Sequence, residues 1–295
     1  MKAMITKIEP LGTGTGKIVY STNDSEDILR FSKAETLELF KSSGVIIFRG
    51  FGVTPMLMKT FSEKISSSFI GDPIKISIDS DNFVKLVEFD TNAIPPHADY
   101  AFTPFRPDVI WFCCTEAPVE GGETLFWDGV QIWKEMSKDT KQLFMEKKIK
   151  FSWASFLLEH LNEVTFLGET LDDAKPILDK FEGLSYQINE DSTLSAKYTC
   201  SAVVKTKSGN QDAFANDILG GYKALGDEDF EDGSKLPNEV ADEIQKLYDK
   251  FTQEISWQAG DLVMMDNWRF THGRRELNKD NQRKLFTVLT KLSLD

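Results

Sequence analysis

The chain has 295 residues, 41% of them hydrophobic, which is enough to bury a sizeable core in one large domain or two small ones. Its 34 basic and 47 acidic side chains give a formal net charge of −13, which argues against nonspecific binding to nucleic acid or anionic membranes. The start of the chain lacks the apolar core of a secretion signal, and no stretch approaches the roughly 18 apolar residues of a membrane span. We therefore expect a cytoplasmic globular protein without nucleic-acid or membrane partners.

Apolar runs, helix caps and turn residues predict a chain that mixes helices and strands. Ser32 and Glu35 have the spacing of a capping box, and an apolar face follows them up to Gly44. The predicted helices cover 33–43, 55–67, 128–147 and 237–251, and the predicted strands cover 45–48, 109–114, 124–127, 148–153, 260–267 and 284–290.

The order of these elements indicates the fold class. The strands at 109–114 and 124–127 flank Gly121-Gly122, which predicts a hairpin in a β-rich core. Residues 155–235 give mixed signals, and the chain has no repeat, low-complexity tract or clear linker, so a single domain over 1–295 is the economical interpretation. Strands at both ends of the sequence favour a β-sandwich or jelly roll with flanking helices.

The segment Pro95-Pro96-His97-Ala98-Asp99 is a candidate for part of a metal site. Side chains two residues apart in a strand point to the same face, so His97 and Asp99 could converge on one ion. Of the other two histidines in the chain, His272 lies in a polar, turn-rich setting, whereas His160 is predicted to lie on one face of a helix. Two imidazoles and a carboxylate with open coordination positions are typical of non-haem Fe(II) oxygenases, although zinc can use the same ligands.

Two further residues are candidates for holding an acidic cosubstrate. Arg283 stands eleven residues after His272, at the start of the last predicted strand, where a guanidinium could bind a carboxylate through two hydrogen bonds. Thr124 stands 27 residues after His97 and could add a hydroxyl donor to the same carboxylate. A surface arginine and an ordinary threonine are the alternative interpretations.

Taken together, these motifs resemble the taurine dioxygenase and 2,4-dichlorophenoxyacetate dioxygenase family of Fe(II)- and 2-oxoglutarate-dependent enzymes. The motifs follow the family's order and spacing from about residue 44 to 290, and they are Gly44 to Phe51, His97-Ala98-Asp99, Gly121-Gly122-Glu123-Thr124, Asp266-Asn267, His272-Gly273-Arg274 and Arg283. The resemblance implies a double-stranded β-helix (jelly roll, cupin-like) that binds iron through His97, Asp99 and His272. It also implies that Thr124 and Arg283 bind the distal carboxylate of 2-oxoglutarate.

The resemblance also implies the reaction. O2 reacts after the substrate has bound, 2-oxoglutarate is decarboxylated to succinate, and an unactivated C–H bond of a small molecule is oxidised, usually by hydroxylation. Halogenating relatives have a small residue in place of Asp99, so halogenation is not expected. Taurine dioxygenase has a sulfonate-binding arginine fifteen residues after the distal histidine, where this chain has Thr287, which argues against a sulfonate substrate. Residues 155–235 would then form a lid or pocket wall, with an inert surface insertion as the alternative.

Several alternatives stay open at this point. The leading expectation is hydroxylation of a small molecule such as an amino acid or a specialised metabolite, and desaturation with the same cofactors is the second. A zinc hydrolase would leave no role for Thr124 and Arg283. A non-catalytic β-sandwich that binds a ligand would leave the three candidate metal ligands without a purpose. The sequence predicts no particular oligomeric state.

Overall fold

The computed structural model describes residues 7–22, 27–73, 75–87, 91–157, 170–190, 193–219, 230–278 and 283–293. The helices in these ranges are α1 (Lys33–Ser43), α2 (Pro55–Glu63), α3 (Gly129–Glu135), α4 (Lys138–Glu146), α5 (Leu171–Leu178) and α6 (Asn238–Phe251), with a 3-10 helix at Ile28–Arg30. The strands are β1 (Lys7–Pro10), β2 (Lys17–Tyr20), β3 (Val45–Arg49), β4 (Ser66–Ile70), β5 (Lys85–Leu86), β6 (Ile94–His97), β7 (Val109–Glu116), β8 (Thr124–Asp128), β9 (Ile149–Leu157), β10 (Leu184–Ile188), β11 (Thr193–Cys200), β12 (Val204–Lys205), β13 (Asp212–Ala213), β14 (Gln253–Ile255), β15 (Leu262–Asp266), β16 (Phe270–Arg274) and β17 (Lys284–Leu292). No helix in the described ranges is long and apolar enough to cross a membrane.

Two sheets that face each other form the centre of the fold. The larger sheet has the strand order β1-β2-β3-β15-β7-β17-β4, with β5 also pairing with β17, and the smaller sheet has the order β14-β8-β16-β6. Within the described part of these sheets, β2 and β3 are the one parallel pair. Phe112 and Val263 of the larger sheet share a buried hydrophobic cluster with Phe126 and Phe270 of the smaller sheet. The space between the two sheets is therefore the main core.

Helices cover the outer face of each sheet. On the larger sheet, Phe48 and Trp111 contact Phe61 of α2 edge-on, with ring centroids 5.5 and 5.9 Å apart. On the smaller sheet, Trp127 lies 5.2 Å from Tyr248 of α6 and belongs to a third buried cluster. The result is a mainly β fold with flanking helices, as the sequence predicts.

The first predicted helix, over 33–43, is confirmed as α1. Its capping box is formed, because the Ser32 hydroxyl accepts a hydrogen bond from the Glu35 N–H and the Glu35 carboxylate accepts one from the Ser32 N–H. Gly44 ends the helix with φ 71°, and a Cβ at this position would lie 2.4 Å from Cε2 of Phe270. The local sequence signals and the packing therefore require the same helix end.

The predicted hairpin is wrong. β7 pairs with β15 and β17 in the larger sheet, whereas β8 pairs with β14 and β16 in the smaller sheet. The chain crosses from one sheet to the other through Gly121 and Gly122, which have φ values of 74° and 66°. Apolar runs identify the two strands, but their partners lie more than a hundred residues away in the sequence, where periodicity carries no information.

Two predicted helices are too long. The helix predicted over 55–67 ends at Glu63, because the residues after it pair with β17 as β4. The helix predicted over 128–147 is divided into α3 and α4. The division occurs where the Ser137 hydroxyl caps the N–H of Thr140 and Glu243 binds the Ser137 N–H. Long-range pairing in one case and a new helix cap in the other override the local helical pattern.

The pairing of β6 with β16 brings two predicted metal ligands together. His97, the last residue of β6, lies directly opposite His272 of β16. Gly273, which follows His272 in β16, lies against the backbone of β6, and a Cβ at Gly273 would lie 2.4 Å from the carbonyl oxygen of Ile94. The absence of a side chain at Gly273 therefore permits the close approach of the two strands.

We expect Gly273→Ala to push β6 away from β16 and to separate the two imidazoles. The free energy of unfolding should fall by about 1–3 kcal/mol, the usual cost of overpacking, and divalent metal should bind more weakly. Chemical denaturation and calorimetric metal titration measure the two effects. Gly14→Ala is the matched control, because its new Cβ would meet only the end of the flexible Gln253 side chain. Wild-type metal affinity in Gly273→Ala would show that this strand spacing is not required.

Candidate metal centre and cosubstrate pocket

His97, Asp99 and His272 form a compact group of potential metal ligands. One ligand atom from each residue lies within 4.8 Å of the other two, and this is the one such group of His, Cys, Asp and Glu among the described residues. The Asp99 Oδ1 atom lies 3.3 Å from Nε2 of His97 and 3.8 Å from Nε2 of His272. Two nitrogens and one carboxylate oxygen on the same side of a site suit a divalent ion with open coordination positions.

Asp99 reaches this position by a different route from the one predicted. β6 ends at His97, so Asp99 lies in the turn that follows, and strand alternation does not explain its orientation. Instead, the buried Asn267 side chain holds the turn from both sides. Its Oδ1 accepts the Asp99 N–H at 3.0 Å, and its Nδ2 donates to the Asp99 carbonyl at 2.8 Å. Asn267 follows β15 directly, so the larger sheet positions this ligand.

The Nε2 atoms of both histidines face Asp99 and are the nitrogens that can bind a metal. His97 Nδ1 lies 2.9 Å from the carbonyl oxygen of Pro95, so the proton on Nδ1 is donated to that carbonyl, which fixes the orientation of the ring. His272 Nδ1 is buried without a hydrogen-bond partner in the described part of the chain. Burial, with a smaller contribution from the nearby His97, lowers the pKa of His272 to about 3, so this imidazole is neutral, the form that binds metals.

The carboxylate of Asp99 is held in its ionised form. Burial alone would raise the pKa of Asp99, but the positive charge of Lys75, the proximity of His272 and the hydrogen bond and charge of His97 outweigh burial and hold this pKa well below its usual range. For His97, burial lowers the pKa, but the hydrogen bond and charge of Asp99 outweigh burial and the net shift is upward. The donor set of an ionised carboxylate and two imidazoles therefore fits a bound Fe(II) ion.

A cavity of about 320 Å³ opens onto the three ligands and contains the two predicted cosubstrate residues. Thr124, the first residue of β8, and Arg283, the residue before β17, both line the cavity and are buried. The Arg283 guanidinium donates to the carbonyl oxygen of Gly122, and the Thr124 hydroxyl accepts a hydrogen bond from Nε1 of Trp257 at 3.0 Å. All five residues predicted from the sequence thus meet in one cavity.

Sequence reasoning missed several residues of this site. Lys75 lines the cavity and forms an ion pair of 2.7 Å with the buried Asp72. Arg274 also lines the cavity and donates to the carbonyl oxygen of Asn92. Arg274 belongs to the His-Gly-Arg motif, which could have identified it, whereas nothing in the sequence near Lys75 indicates that it approaches the metal ligands.

The fold and the site together define a mainly β protein with a histidine and carboxylate metal centre beside a basic cavity. The chain belongs to the family described as "Taurine catabolism dioxygenase TauD, TfdA family", whose model matches residues 7–289. It is therefore an Fe(II)- and 2-oxoglutarate-dependent dioxygenase that uses O2 and acts on a small molecule. The predicted family, enzyme class and cofactors are confirmed, and a zinc hydrolase or a non-catalytic binding protein is set aside.

Similar proteins cover most of the chain at low identity. The 3-((Z)-2-isocyanoethenyl)-1H-indole synthase of Fischerella ambigua is 23% identical over 290 residues, which cover 94% of this chain and 92% of that protein. A clavaminate synthase-like protein of Arabidopsis thaliana is 24% identical over 286 residues, which cover 86% and 83%. Among solved structures, a taurine dioxygenase from Burkholderia xenovorans has a TM-score of 0.65 at 12% identity, covering 98% of this chain and 90% of that chain. PvcB from Pseudomonas aeruginosa has a TM-score of 0.62 at 15% identity, covering 100% and 98%. The likeness to solved structures shows a shared fold.

We expect Asn267→Ala to weaken metal binding about tenfold to hundredfold, the usual effect of removing a residue that orients a metal ligand. The substitution releases the turn that carries Asp99 and leaves its buried N–H and carbonyl without partners, so stability should fall as well. Calorimetric titration with a divalent metal and chemical denaturation separate the two effects.

Asn216→Ala is the matched control for this prediction. Asn216 is also buried, and its side chain binds the carbonyl oxygen of Ala202 and the N–H of Ile218. This variant should lose stability and keep its metal affinity. Equal losses of metal affinity in both variants would show that Asn267 acts only through general stability.

Proposed function

We propose that this dioxygenase hydroxylates an unactivated C–H bond of a small molecule at an iron held by His97, Asp99 and His272. In this proposal Thr124 and Arg283 bind the distal carboxylate of 2-oxoglutarate. The reaction with O2 converts 2-oxoglutarate to succinate and CO2 as the substrate is hydroxylated. The single observation that carries the proposal is the meeting of all five side chains in one cavity of about 320 Å³.

The chain's own residues supply binding, orientation and exclusion of water. Bound iron, with 2-oxoglutarate and O2, supplies the oxidising chemistry. Arg283 is buried, so its pairing with a carboxylate is stronger than it would be at the surface. Three protein ligands leave room on the metal for the keto acid end of the cosubstrate and for O2. The walls of the cavity hold the reacting C–H close to the metal and keep water away from it.

We propose further that the two facing sheets form one double-stranded β-helix (jelly roll, cupin-like) in a single domain, 1–295, with 155–235 as a lid or pocket wall. The buried cluster between the sheets supports the first part. The described parts of 155–235 include β10 and β11, which form a three-stranded antiparallel sheet with β9. Trp153 of β9 and Leu194 of β11 pack in the same cluster as Phe102, three residues after Asp99, and this supports a wall beside the site over an inert insertion. His160 lies outside the described residues.

The substrate class that we propose is an amino acid or a specialised metabolite. The name of the Fischerella ambigua relative describes an isocyanide of indole, a specialised metabolite. That product also contains an ethenyl group, and this observation favours desaturation as the second candidate outcome.

Thr287 is buried in β17 and carries no charge, which supports a substrate other than a sulfonate. The location that we propose is cytoplasmic, and the net charge of −13 supports an enzyme without nucleic-acid or membrane partners.

Anaerobic addition of Fe(II) and 2-oxoglutarate to metal-free protein should produce a weak visible charge-transfer absorption that requires both additions. His97→Ala removes one of three metal ligands, so this variant should lose both the absorption and succinate production. His160→Ala, at the histidine predicted to lie on a helix face, is the control and should keep both. Full succinate production by His97→Ala would overturn the proposed metal site.

Arg283→Ala should weaken 2-oxoglutarate binding about thirtyfold or more, because removing one partner of a buried charge pair costs about 2–5 kcal/mol. Metal binding should change little, since Arg283 contributes no ligand. Titration of the anaerobic Fe(II) protein with 2-oxoglutarate gives the affinity. Arg275→Ala is the control, because Arg275 is half exposed and pairs with Glu254 at 2.9 Å. Wild-type cosubstrate affinity in Arg283→Ala would remove Arg283 from its proposed role.

A further inference from the structure

We propose that Trp257 is a positioning residue that orients the Thr124 hydroxyl, so that its proton points at the distal carboxylate of 2-oxoglutarate. This inference rests on the proposed role of Thr124 in cosubstrate binding, and it adds to that role a residue outside the cavity. Trp257 acts through Thr124 and touches neither iron nor cosubstrate.

The hydrogen bond between the two residues has one possible direction. The Trp257 Nε1 atom lies 3.0 Å from Oγ1 of Thr124. An indole N–H is a donor only, so the threonine oxygen must be the acceptor. Both side chains are buried, with 6% of Trp257 and 3% of Thr124 exposed, so bulk water does not compete for this contact. The indole therefore excludes one of the directions in which the hydroxyl proton could point.

The hydroxyl proton of Thr124 is available to a ligand. A threonine hydroxyl has one proton to donate, and within the described part of the chain that of Thr124 is donated to no protein acceptor. The side chain lines the cavity together with Arg283, whose guanidinium is also a donor only. An ionised carboxylate accepts hydrogen bonds and donates none, so it complements both donors. The oriented hydroxyl and the guanidinium form one set of donors for a carboxylate.

Trp257 itself is held in place from both sides along the chain. Arg49 and the buried Asp261 form an ion pair of 2.7 Å. The Arg49 guanidinium also donates to the carbonyl oxygen of Ser256 at 2.8 Å, and the Asp261 carboxylate accepts the N–H of Gln258 at 2.9 Å. The residues before and after Trp257 are therefore both anchored to the same ion pair, which limits the movement of the indole.

The Trp257 ring also packs towards the metal centre. It contacts Phe112 edge-on, with centroids 6.5 Å apart, and Phe112 lies 5.5 Å from the His272 ring. This packing gives Trp257 a second possible role as an apolar core residue. The experiment must therefore separate loss of the indole N–H from loss of packing.

Calorimetric titration of the Zn(II)-loaded protein with 2-oxoglutarate tests the proposal without turnover. Trp257→Phe keeps an aromatic ring and removes the N–H, and we expect it to weaken 2-oxoglutarate binding about threefold to tenfold, the range for one hydrogen bond. Thr124→Val should weaken binding at least as much. The double variant should bind no more weakly than Thr124→Val alone, since both substitutions disable the same hydroxyl.

Trp111→Phe is the matched control. Trp111 is buried in the larger sheet, and its Nε1 donates to the Thr290 hydroxyl at 3.0 Å, the same type of bond away from the cavity. This variant should keep wild-type affinity for 2-oxoglutarate, and all the variants should keep their affinity for Zn(II).

The outcomes separate this inference from the function on which it rests. Wild-type affinity in Thr124→Val would remove Thr124 from cosubstrate binding and overturn the proposed role and this inference together. Weakened binding in Thr124→Val with wild-type affinity in Trp257→Phe would overturn this inference alone. Additive losses in the double variant would also overturn it, because Trp257 would then act independently of Thr124.

A measurement on the wild-type protein keeps the proposal testable if Trp257→Phe does not fold. In the ¹⁵N–¹H spectrum of the Zn(II) protein, the indole resonance that moves in Thr124→Val belongs to Trp257. We expect the same resonance to move when 2-oxoglutarate is added to the wild-type protein and to stay unchanged when it is added to Thr124→Val. An indole resonance that does not respond to 2-oxoglutarate in the wild-type protein would contradict the proposal.

Discussion

The close pairing of β6 with β16 is the constraint on which the rest of the site depends. It sets the His97 and His272 rings 4.3 Å apart, at the edge of the smaller sheet. Gly273 makes this distance possible, because any side chain there would collide with the backbone of β6. On the other side of β16, β8 pairs in a register that sets Thr124 opposite Arg274. One strand thus positions a proposed metal ligand, and its neighbour positions a proposed cosubstrate residue in the same cavity.

The larger sheet completes the site from the opposite side. Asn267, directly after β15, holds the turn that carries Asp99, and Arg283, directly before β17, extends to the same cavity. The proposed metal ligands lie on or beside the smaller sheet, whereas Asn267 and Arg283 adjoin the larger sheet, so the complete site requires both sheets to pack. Burial in this interface also lowers the pKa of His272, so that its imidazole is neutral before metal binds. Folding therefore keeps His272 neutral and Asp99 ionised, the protonation states in which these two residues can bind a divalent metal.

The sequence predicts the local elements and the chemistry of this site better than its long-range geometry. The helix α1 is predicted from its capping box at Ser32 and Glu35 and from the apolar face that ends at Gly44, because all of these are contacts between residues near in sequence. The five site residues could be identified because their spacing matches a known family. The hairpin prediction fails because strand partners are distant in sequence. The roles of Lys75, Asn267 and Trp257 are not predicted by the sequence, for the same reason: each acts through a contact with residues that only the folded sheets bring near.

In the proposed arrangement, the cosubstrate end and the substrate side of the site are built from different sheets. Thr124 lies on the paired strand β8, and Trp257, which binds Thr124, is anchored through its neighbours to the Arg49–Asp261 ion pair. A change of substrate does not require these elements to move. The packing around Phe102, by contrast, comes from β9 and β11, which belong to a separate three-stranded sheet. A substitution in that sheet changes the packing around Phe102 without touching a proposed metal or cosubstrate residue. In the proposed arrangement the pocket wall and the metal and cosubstrate residues belong to different sheets, so substitutions can alter the wall while they leave the metal centre unchanged.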